Sequence, residues 1–358
     1  MNIVVLFGAK SVEHEISIIS AFQVIETLKI KYNVIPVYVS KNNEFFYDKK
    51  MSSVEYFKNN KKILKSKNRI KFKKKKDAFY ICGKKKRKFD VIFPVVHGKG
   101  AEDGTILDYF KFQGIPIVGN NSSFYAMSQN KYLTKILLNG LNINNAKYRV
   151  IKRGDDYKKE DFKFPLIVKP NNLGSSLGIS IVNSFIELER AISLVYRIDD
   201  VAIVEEYLER AIEYNISVLN NNGVIEVSNI ERIEKGEIFT FEDKYLSNNK
   251  KCGLVSKNKK INKGKINNEL KKEIEDSAKL IYKEFGASGV IRIDYLYKDK
   301  LYVNEINAIP GSYAHYLWED KYDFLELLDI VFKEAKRDNF FFLKKNELID
   351  RNLIFNIK

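Results

Sequence analysis

The amino-acid sequence predicts an N-terminal α/β domain with a doubly wound, parallel sheet, followed by a two-part α+β region. Ile3–Phe7 and Val34–Val39 are apolar runs of strand length, and Ile16–Leu28 between them carries apolar residues at helical spacing. Asp90–Val96 has the pattern of another buried strand, and strand–helix alternation of this kind is typical of parallel sheets. Beyond residue 120, short strands, hairpin turns and helices follow one another, which indicates α+β structure.

The first domain is predicted to cover residues 1–119. Asp103 is placed to cap a helix that runs to Phe112, and Ile115–Val118 has the pattern of a further strand. A lysine-rich insertion near residues 41–88 interrupts this domain.

A smaller domain is predicted over residues 120–208. Ser122 is a suitable N-cap for a single helix that ends at Asn139, because Gly140 follows as a stop. The four short strands predicted after this helix are Lys147–Ile151, Leu166–Lys169, Ile179–Val182 and Val201–Glu206.

A larger domain is predicted over residues 209–358. The sequence Asn221-Asn222-Gly223 favours a hairpin turn, and a second hairpin is expected around Asp299. A long helix ends at Gly286 between the two hairpins, and a last helix covers roughly Phe324–Lys336.

The net charge of +16 comes almost entirely from one segment. Residues 58–88 contain 16 lysines and arginines and a single acidic residue, Asp77, so the rest of the chain is nearly neutral. Nucleic-acid sites usually combine basic with aromatic residues, but the only aromatic residues here are Phe72, Phe79 and Tyr80. We therefore favour a solvated surface segment, with binding of a polyanion as the alternative.

The sequence shows no feature of a membrane or secreted protein. It has no run of 18 apolar residues, and its first residues have a strand pattern without the basic region of a signal peptide. Cys82 and Cys252 stand far apart without metal-site or redox spacing, which is typical of a reducing compartment. We expect a cytoplasmic protein.

The strongest local motif is a loop of small residues after a lysine, in the sequence VKPNNLGSSLG from Val168 to Gly178. Glycine amides and serine hydroxyls can surround phosphate oxygens, and Lys169 supplies a compact positive charge. The motif is neither a Walker A loop nor a dinucleotide fingerprint, because no Gly-Lys-Ser/Thr end opens a helix. It predicts a phosphate site, with a plain hairpin loop as the alternative.

Two strand patterns near residue 300 place polar side chains on one face. The period of two puts Arg292 and Asp294 on one face of the first strand, and Glu305 and Asn307 on one face of the second. A four-residue connection, with Tyr297 opposite Tyr302, would set Asp294 opposite Glu305 and Arg292 opposite Asn307. Oxygen atoms from Asp, Glu and Asn suit Mg²⁺ that is shared with phosphates. The alternative is an exposed sheet with paired charges.

Two polar loops follow strands of the first domain. His97 lies in a glycine-rich loop over residues 94–104, and Glu13 lies in the loop after the first strand. Ligands of doubly wound sheets bind beyond the carboxyl ends of the strands, where both loops are expected. Glu13 could bind an ammonium group, or it could simply favour the N-terminus of the next helix.

These motifs, in this order, resemble those of the D-alanine–D-alanine ligase family of ATP-grasp enzymes over nearly the whole chain, apart from the lysine-rich segment. The resemblance implies a two-part ATP-grasp module after the first domain. It implies a ligase that joins two D-alanines through an acyl phosphate for peptidoglycan precursor synthesis. It further implies ATP and two Mg²⁺ or Mn²⁺ ions as cofactors, and a homodimer.

The resemblance also implies roles for individual residues. The implied ATP-binding residues are Lys131, Lys169, Gly174, Ser176, Glu205, Glu206, Tyr207, Leu208 and Glu213. The implied catalytic residues are Glu13, Ser175, Tyr245, Arg292 and Gly311. The implied substrate contacts are His97, Lys244, Ser312, Tyr316 and Leu317. The implied metal ligands are Asp294, Glu305 and Asn307.

The acceptor substrate is the least defined of these expectations. Tyr316 stands where many members of the family have a small hydroxyl residue that holds the second carboxylate. D-Serine and D-lactate are therefore alternative acceptors, although Lys244-Tyr245 resembles the closing loop of members that form dipeptides. An ATP-grasp carboxylase is disfavoured because no biotin-carrier signature is present, and a polyanion-binding protein that uses residues 58–88 is the non-enzymatic alternative.

Overall fold

The computed structural model describes residues 1–11, 13–58, 66–98, 103–174, 177–233 and 266–347, and the chain forms two compact units. Unit 1 comprises Met1–Ser122, Asn220–Gly223 and Tyr322–Lys358, and unit 2 comprises Ser123–Leu219 and Val224–Lys321. The predicted boundaries at 119/120 and 208/209 stay predictions. Within the described ranges, no helix combines the length and apolar character needed to cross a membrane.

Helices and strands are numbered along the described residues. The strands are β1 (Asn2–Gly8), β2 (Asn33–Val39), β3 (Phe45–Tyr47), β4 (Lys71–Lys75), β5 (Ala78–Cys82), β6 (Lys86–Phe89), β7 (Val91–Val95), β8 (Tyr148–Lys152), β9 (Leu166–Pro170), β10 (Ser180–Val182), β11 (Val201–Glu206), β12 (Ile212–Asn221), β13 (Val224–Val227), β14 (Glu231–Ile233), β15 (Ile291–Tyr297) and β16 (Leu301–Asn307). The helices are α1 (His14–Lys29), α2 (Val54–Lys58), α3 (Thr105–Phe112), α4 (Ser122–Gln129), α5 (Lys131–Gly140), α6 (Phe185–Val195), α7 (Asn268–Glu284) and α8 (Phe324–Glu347).

The main sheet of unit 1 has the strand order β3-β2-β1-β7. β1 pairs in parallel with β2 and with β7, and the short edge strand β3 runs antiparallel to β2. Residues 3–8 of β1 and all of β7 are buried, as expected for strands with covered faces. The predicted parallel sheet is thus confirmed, but Ile115–Val118 contributes only an isolated bridge between Ile117 and Ile92.

The lysine-rich segment forms a separate antiparallel sheet with the order β4-β5-β6. The buried residues of its inner face are Phe72, Phe79, Ile81 and Phe89. They pack on the rest of unit 1, and the ring centroids of Phe72 and Phe110 lie 4.7 Å apart. Its outer face, which we call the lysine face, consists of the exposed residues Lys71, Lys73, Lys75, Lys86 and Lys88. The lysines are solvated, as predicted, but the strands that carry them contribute to the core of unit 1.

Unit 2 contains two antiparallel sheets. The smaller has the order β10-β9-β11-β8, and α6 packs on its apolar face. The larger has the order β13-β12-β15-β16, with β14 also paired to β12. Side chains from α4, α5 and α7 join the larger sheet in one apolar core. These two sheets agree with the predicted α+β region.

The single helix predicted from Ser122 to Asn139 is two helices. Asn130 interrupts it with an extended backbone (φ −89°, ψ 102°), and its Oδ1 accepts a hydrogen bond from Leu133 N at 2.9 Å. Asn130 is therefore the N-cap of α5. The break separates α4 from α5, so Lys131 stands at the first position of a helix.

Candidate active site

The polar loops of unit 1 start at the same edge of its sheet. The Ser17 hydroxyl joins the ends of two strands, because it accepts a hydrogen bond from Gly8 N at 2.7 Å and donates one to the Val95 carbonyl. A Cβ atom added to Gly98 would lie 3.1 Å from Glu13 Oε2, so the loop after β7 contacts the loop after β1. Gly98 also has a φ of +82°, which favours glycine.

Because Gly98 contacts Glu13 and His97 is the residue before Gly98, the loops that carry Glu13 and His97 are neighbours. Glu13 is only 6% exposed and occupies the N-cap position of α1, yet its side chain makes no capping hydrogen bond. Its position at the start of α1 agrees with the alternative role, a carboxylate that favours the helix N-terminus, and binding of an ammonium group stays a prediction. His97 is half-buried, and residues 99–102 of the same loop lie outside the described residues.

Strands β15 and β16 of unit 2 pair the predicted residues, but a β-bulge and not the predicted connection length produces these pairs. Asp294 is opposite Glu305 and Arg292 is opposite Asn307, as predicted. The connection from Tyr297 to its partner Leu301 has three residues instead of the predicted four, and the register shifts by one beside Asp294. A β-bulge, with Asn304 as the extra residue, therefore restores the expected pairs.

Asp294 is the most highly bonded member of this face. It accepts a bidentate pair of hydrogen bonds from Arg292, with Nε–Oδ1 at 2.7 Å and Nη2–Oδ2 at 2.9 Å. Asn307 Nδ2 donates to the same carboxylate at 3.0 Å. Burial opposes the charge of Arg292, but the Asp294 carboxylate raises the pKa of the guanidinium above its ordinary value. Among the described residues, none donates a hydrogen bond to the Glu305 carboxylate.

A short 3₁₀ helix over Gly311–Leu317 follows this strand pair. The Tyr316 hydroxyl donates to Glu231 Oε2 at 2.9 Å, and burial raises the pKa of Tyr316, so the phenol remains a hydrogen-bond donor. Leu317 is fully buried, and its carbonyl accepts from Asn229 N at 3.1 Å. Gly311 is exposed at the start of the helix, and the side chain of Ser312 lies outside the described residues.

Two lysines of unit 2, Lys169 and Lys135, contact one buried carboxylate. Glu205 is 4% exposed; its Oε2 lies 2.9 Å from Lys169 Nζ and its Oε1 lies 3.2 Å from Lys135 Nζ. Burial disfavours the charged carboxylate, but Lys169 and Lys135 lower the pKa of Glu205 to about 2. Lys131 Nζ donates to the Leu173 carbonyl at 2.5 Å, and burial lowers its pKa.

The phosphate-loop motif and the residues implied to bind adenosine lie on or beside the smaller sheet. Lys131 contacts this loop at Leu173, directly before Gly174. Glu206 Oε1 accepts from Lys147 N at 3.0 Å, and Tyr207 N donates to the Pro165 carbonyl at 3.2 Å.

Leu208 and Glu213 flank the start of the larger sheet. Leu208 packs in a small apolar cluster with Tyr302, whereas Glu213 lies on β12 opposite Leu296. Four residues of the predicted site lie outside the described residues, namely Ser175, Ser176, Lys244 and Tyr245.

Sequence reasoning did not identify Lys135, Asn304 or Glu231. Lys135 follows Lys131 by four residues, so helical spacing could have placed both lysines on one face of α5. Asn304 Oδ1 accepts a hydrogen bond from Lys169 Nζ at 3.3 Å, because the bulge changes the direction of its side chain. No local pattern marks Glu231, whose partner Tyr316 is distant in the sequence.

The fold and the site together define the class of protein. One antiparallel sheet carries Lys169 beside the buried Glu205, and the other carries the facing residues Asp294 and Glu305, which agrees with the ATP-grasp module that the sequence implied. Two family profiles match the chain, described as D-ala D-ala ligase N-terminus over residues 2–120 and D-ala D-ala ligase C-terminus over residues 137–322. The N-terminal profile spans the lysine-rich segment.

Individual proteins agree with these profiles. A D-alanine--D-alanine ligase from Thermosipho melanesiensis is 37% identical over 338 residues, which cover 92% of each chain. Solved structures of a D-alanine-D-alanine ligase from Helicobacter pylori and of the VanG D-Ala:D-Ser ligase from Enterococcus faecalis each show 27% identity and a TM-score of 0.74 over 93% of this chain. The matched region covers 98% of the Helicobacter pylori chain and 99% of the Enterococcus faecalis chain. The chain therefore belongs to the D-alanine–D-alanine ligase family.

Proposed function

We propose that this protein is an ATP-dependent ligase that forms D-alanyl-D-alanine. The observation that carries the proposal is the face of Arg292, Asp294, Glu305 and Asn307 in a chain of this family. A carboxylate cannot be attacked directly by an amine, because oxide would have to leave. The first D-alanine carboxylate therefore takes the γ-phosphoryl group of ATP and ADP leaves. The second D-alanine amine then displaces phosphate and loses a proton.

The lysine cluster of unit 2 supports binding of the nucleotide. Lys131 and Lys169 are two buried or part-buried ammonium groups, and Lys131 contacts the small-residue loop. Phosphates provide the negative charge that such a cluster requires. We assign Gly174, Ser175 and Ser176 to the loop that covers the phosphates, and the segment 205–208 with Glu213 to the adenosine. Within that segment, the Glu205 carboxylate is paired with Lys169 and Lys135, so we assign this side chain to the phosphate end of the nucleotide.

The carboxylate face fits a divalent metal ion. Its donors are carboxylate and amide oxygens, the set preferred by Mg²⁺ and Mn²⁺. Because Asn307 donates through Nδ2, its Oδ1 stays available, and Glu305 accepts no hydrogen bond within the described part of the chain. Asp294, Glu305 and Asn307 would hold two ions. When bound, the ions would neutralise the phosphates and orient them for transfer.

The remaining residues act on the amino acids. Glu13 would bind the ammonium group of the first D-alanine. Arg292 and the Gly311 amide would stabilise the tetrahedral oxyanion, and one such donor is worth about 3–4 kcal/mol. We place His97, Ser312, Tyr316 and Leu317 around the substrates, and Lys244 with Tyr245 on a loop that closes over them. A homodimer is part of the same proposal.

D-Serine is the second candidate acceptor. The VanG D-Ala:D-Ser ligase has the same TM-score, 0.74, as the Helicobacter pylori ligase. Tyr316 also supplies a phenol, already bonded to Glu231, where a small hydroxyl residue was expected.

The test is phosphate release from ATP and Mg²⁺, with product analysis, over D-alanine, D-serine, D-lactate and L-alanine. We expect D-alanine to give the dipeptide with the highest kcat/KM. A larger value with D-serine would establish the second candidate. The absence of ATP-dependent product with every amino acid would contradict both.

A further inference from the structure

Lys135 is a buried cation that has no part in the proposed reaction. It lies on α5, one turn after Lys131, and is 5% exposed. Burial lowers its pKa, although Glu205 partly offsets this effect. Since a buried ammonium is costly unless it is paired, its partners indicate what the charge contributes.

Three groups fix the Lys135 ammonium. Its Nζ lies 3.2 Å from Glu205 Oε1, 3.4 Å from the Ala146 carbonyl oxygen and 5.0 Å from the centroid of the Tyr148 ring. Tyr148 is directly opposite Glu205 in the sheet. The ammonium is thus held between a carboxylate and an aromatic ring, both of which favour its charged form.

Glu205 connects Lys135 to the predicted nucleotide lysine. One carboxylate oxygen faces Lys135, and the other accepts a hydrogen bond from Lys169 Nζ at 2.9 Å. Lys169 also donates to Asn304 Oδ1, at 3.3 Å, on the bulge beside Glu305. The position of the Lys169 ammonium therefore depends on a carboxylate that is itself held by Lys135.

We propose that Lys135 is a positioning residue for triphosphate binding, which acts through Glu205 on Lys169. With Lys135 present, the Glu205 carboxylate is shared between two cations, so the Lys169 ammonium is only partly neutralised and can bind phosphate oxygens. Without it, Glu205 pairs with Lys169 alone and the cluster loses one positive charge. The inference rests on the proposed function only in taking the ligand to be a nucleoside triphosphate.

The experiment compares two ligands on the full-length protein. Isothermal titration gives the Kd of the non-hydrolysable analogue AMP-PNP with Mg²⁺, and of adenosine, which has no phosphate. Lys135→Met should weaken AMP-PNP about tenfold, equivalent to about 1.4 kcal/mol, and leave adenosine unchanged. Lys135→Arg should restore most of the AMP-PNP affinity, because it keeps the charge. Lys135→Gln replaces the methionine variant if that one does not fold.

A matched control distinguishes the proposed effect of Lys135 from the general effect of removing a buried lysine. Burial also lowers the pKa of Lys111, which belongs to unit 1 and donates to the Asn120 carbonyl at 2.7 Å, whereas the Glu205 cluster belongs to unit 2. Lys111→Met should change neither affinity. In a Glu205→Gln background, Lys135→Met should change AMP-PNP affinity less than twofold.

Three results would overturn the assignment. These are unchanged AMP-PNP affinity in the Lys135 variant, an equal loss for adenosine, or the full tenfold loss in the Glu205→Gln background. Failure of the proposed function alone gives a different result, because the wild-type protein would then bind AMP-PNP without forming dipeptide. A wild-type protein that does not bind AMP-PNP would overturn both proposals.

Discussion

Asp294→Asn should destabilise unit 2 by about 3 kcal/mol. The variant keeps the size of the side chain but removes the charge that faces Arg292, whose Nε and Nη2 both donate to Asp294 at 2.7 and 2.9 Å. The two side chains are only 22% and 8% exposed. Removing one partner of a buried ion pair costs about 3–5 kcal/mol, and the part of Arg292 that stays solvated favours the lower value.

The chain offers a matched control for this change. Arg153 and Asp200 form a similar Nε–Oδ1 contact at 2.9 Å, also within unit 2, but these side chains are 54% and 83% exposed. Asp200→Asn should cost less than about 1 kcal/mol, because water screens the pair and solvates the remaining arginine.

Urea unfolding of unit 2 can be followed by fluorescence. Trp318 is the only tryptophan and is fully buried, with Nε1 hydrogen-bonded to Ser217 Oγ at 3.0 Å. With a urea m value of about 1–3 kcal/mol/M, the Asp294 variant should lower the midpoint by about 1–3 M. Equal midpoints for the Asp294 and Asp200 variants would refute the view that burial makes the Arg292–Asp294 pair strong.

Three further outcomes are expected. Glu305→Gln should reduce turnover at least a hundredfold with little change in the unfolding free energy, and near-normal rates at saturating Mg²⁺ would remove Glu305 from the proposed metal ligands. Glu205 has a pKa lowered to about 2 from 4.5, so its contribution to stability is present above pH 4.5 and disappears as the pH falls toward 2. Glu205→Gln should flatten the unfolding free energy over that interval, and an unchanged acid profile would contradict the assignment. Changing all five residues of the lysine face to glutamine should preserve dipeptide formation, measured by product analysis, and loss of activity from the folded variant would show that this face takes part.

The sequence alone determined the class of fold and most of the candidate residues. Apolar runs with periods of 2 and 3.6 depend only on neighbouring residues, so β1, β2 and β7 of unit 1 were predictable, as was the shared face of Glu305 and Asn307. The pairing of Asp294 with Glu305 depends on the bulge, which local periodicity does not indicate. The break at Asn130 was missed because an asparagine inside an apolar helical pattern is a weak signal until its cap is formed.

Tertiary structure decided which charges interact. The contacts from Glu205 to Lys135 and Lys169 join a helix and two strands, and the contact of Tyr316 with Glu231 joins residues 85 positions apart. No periodicity encodes such pairs. The bulge at Asn304 likewise depends on how the whole hairpin packs on its neighbours. Burial then sets the chemistry, since the same lysine or carboxylate has an ordinary pKa in water and a displaced one only where the fold removes solvent and supplies a partner.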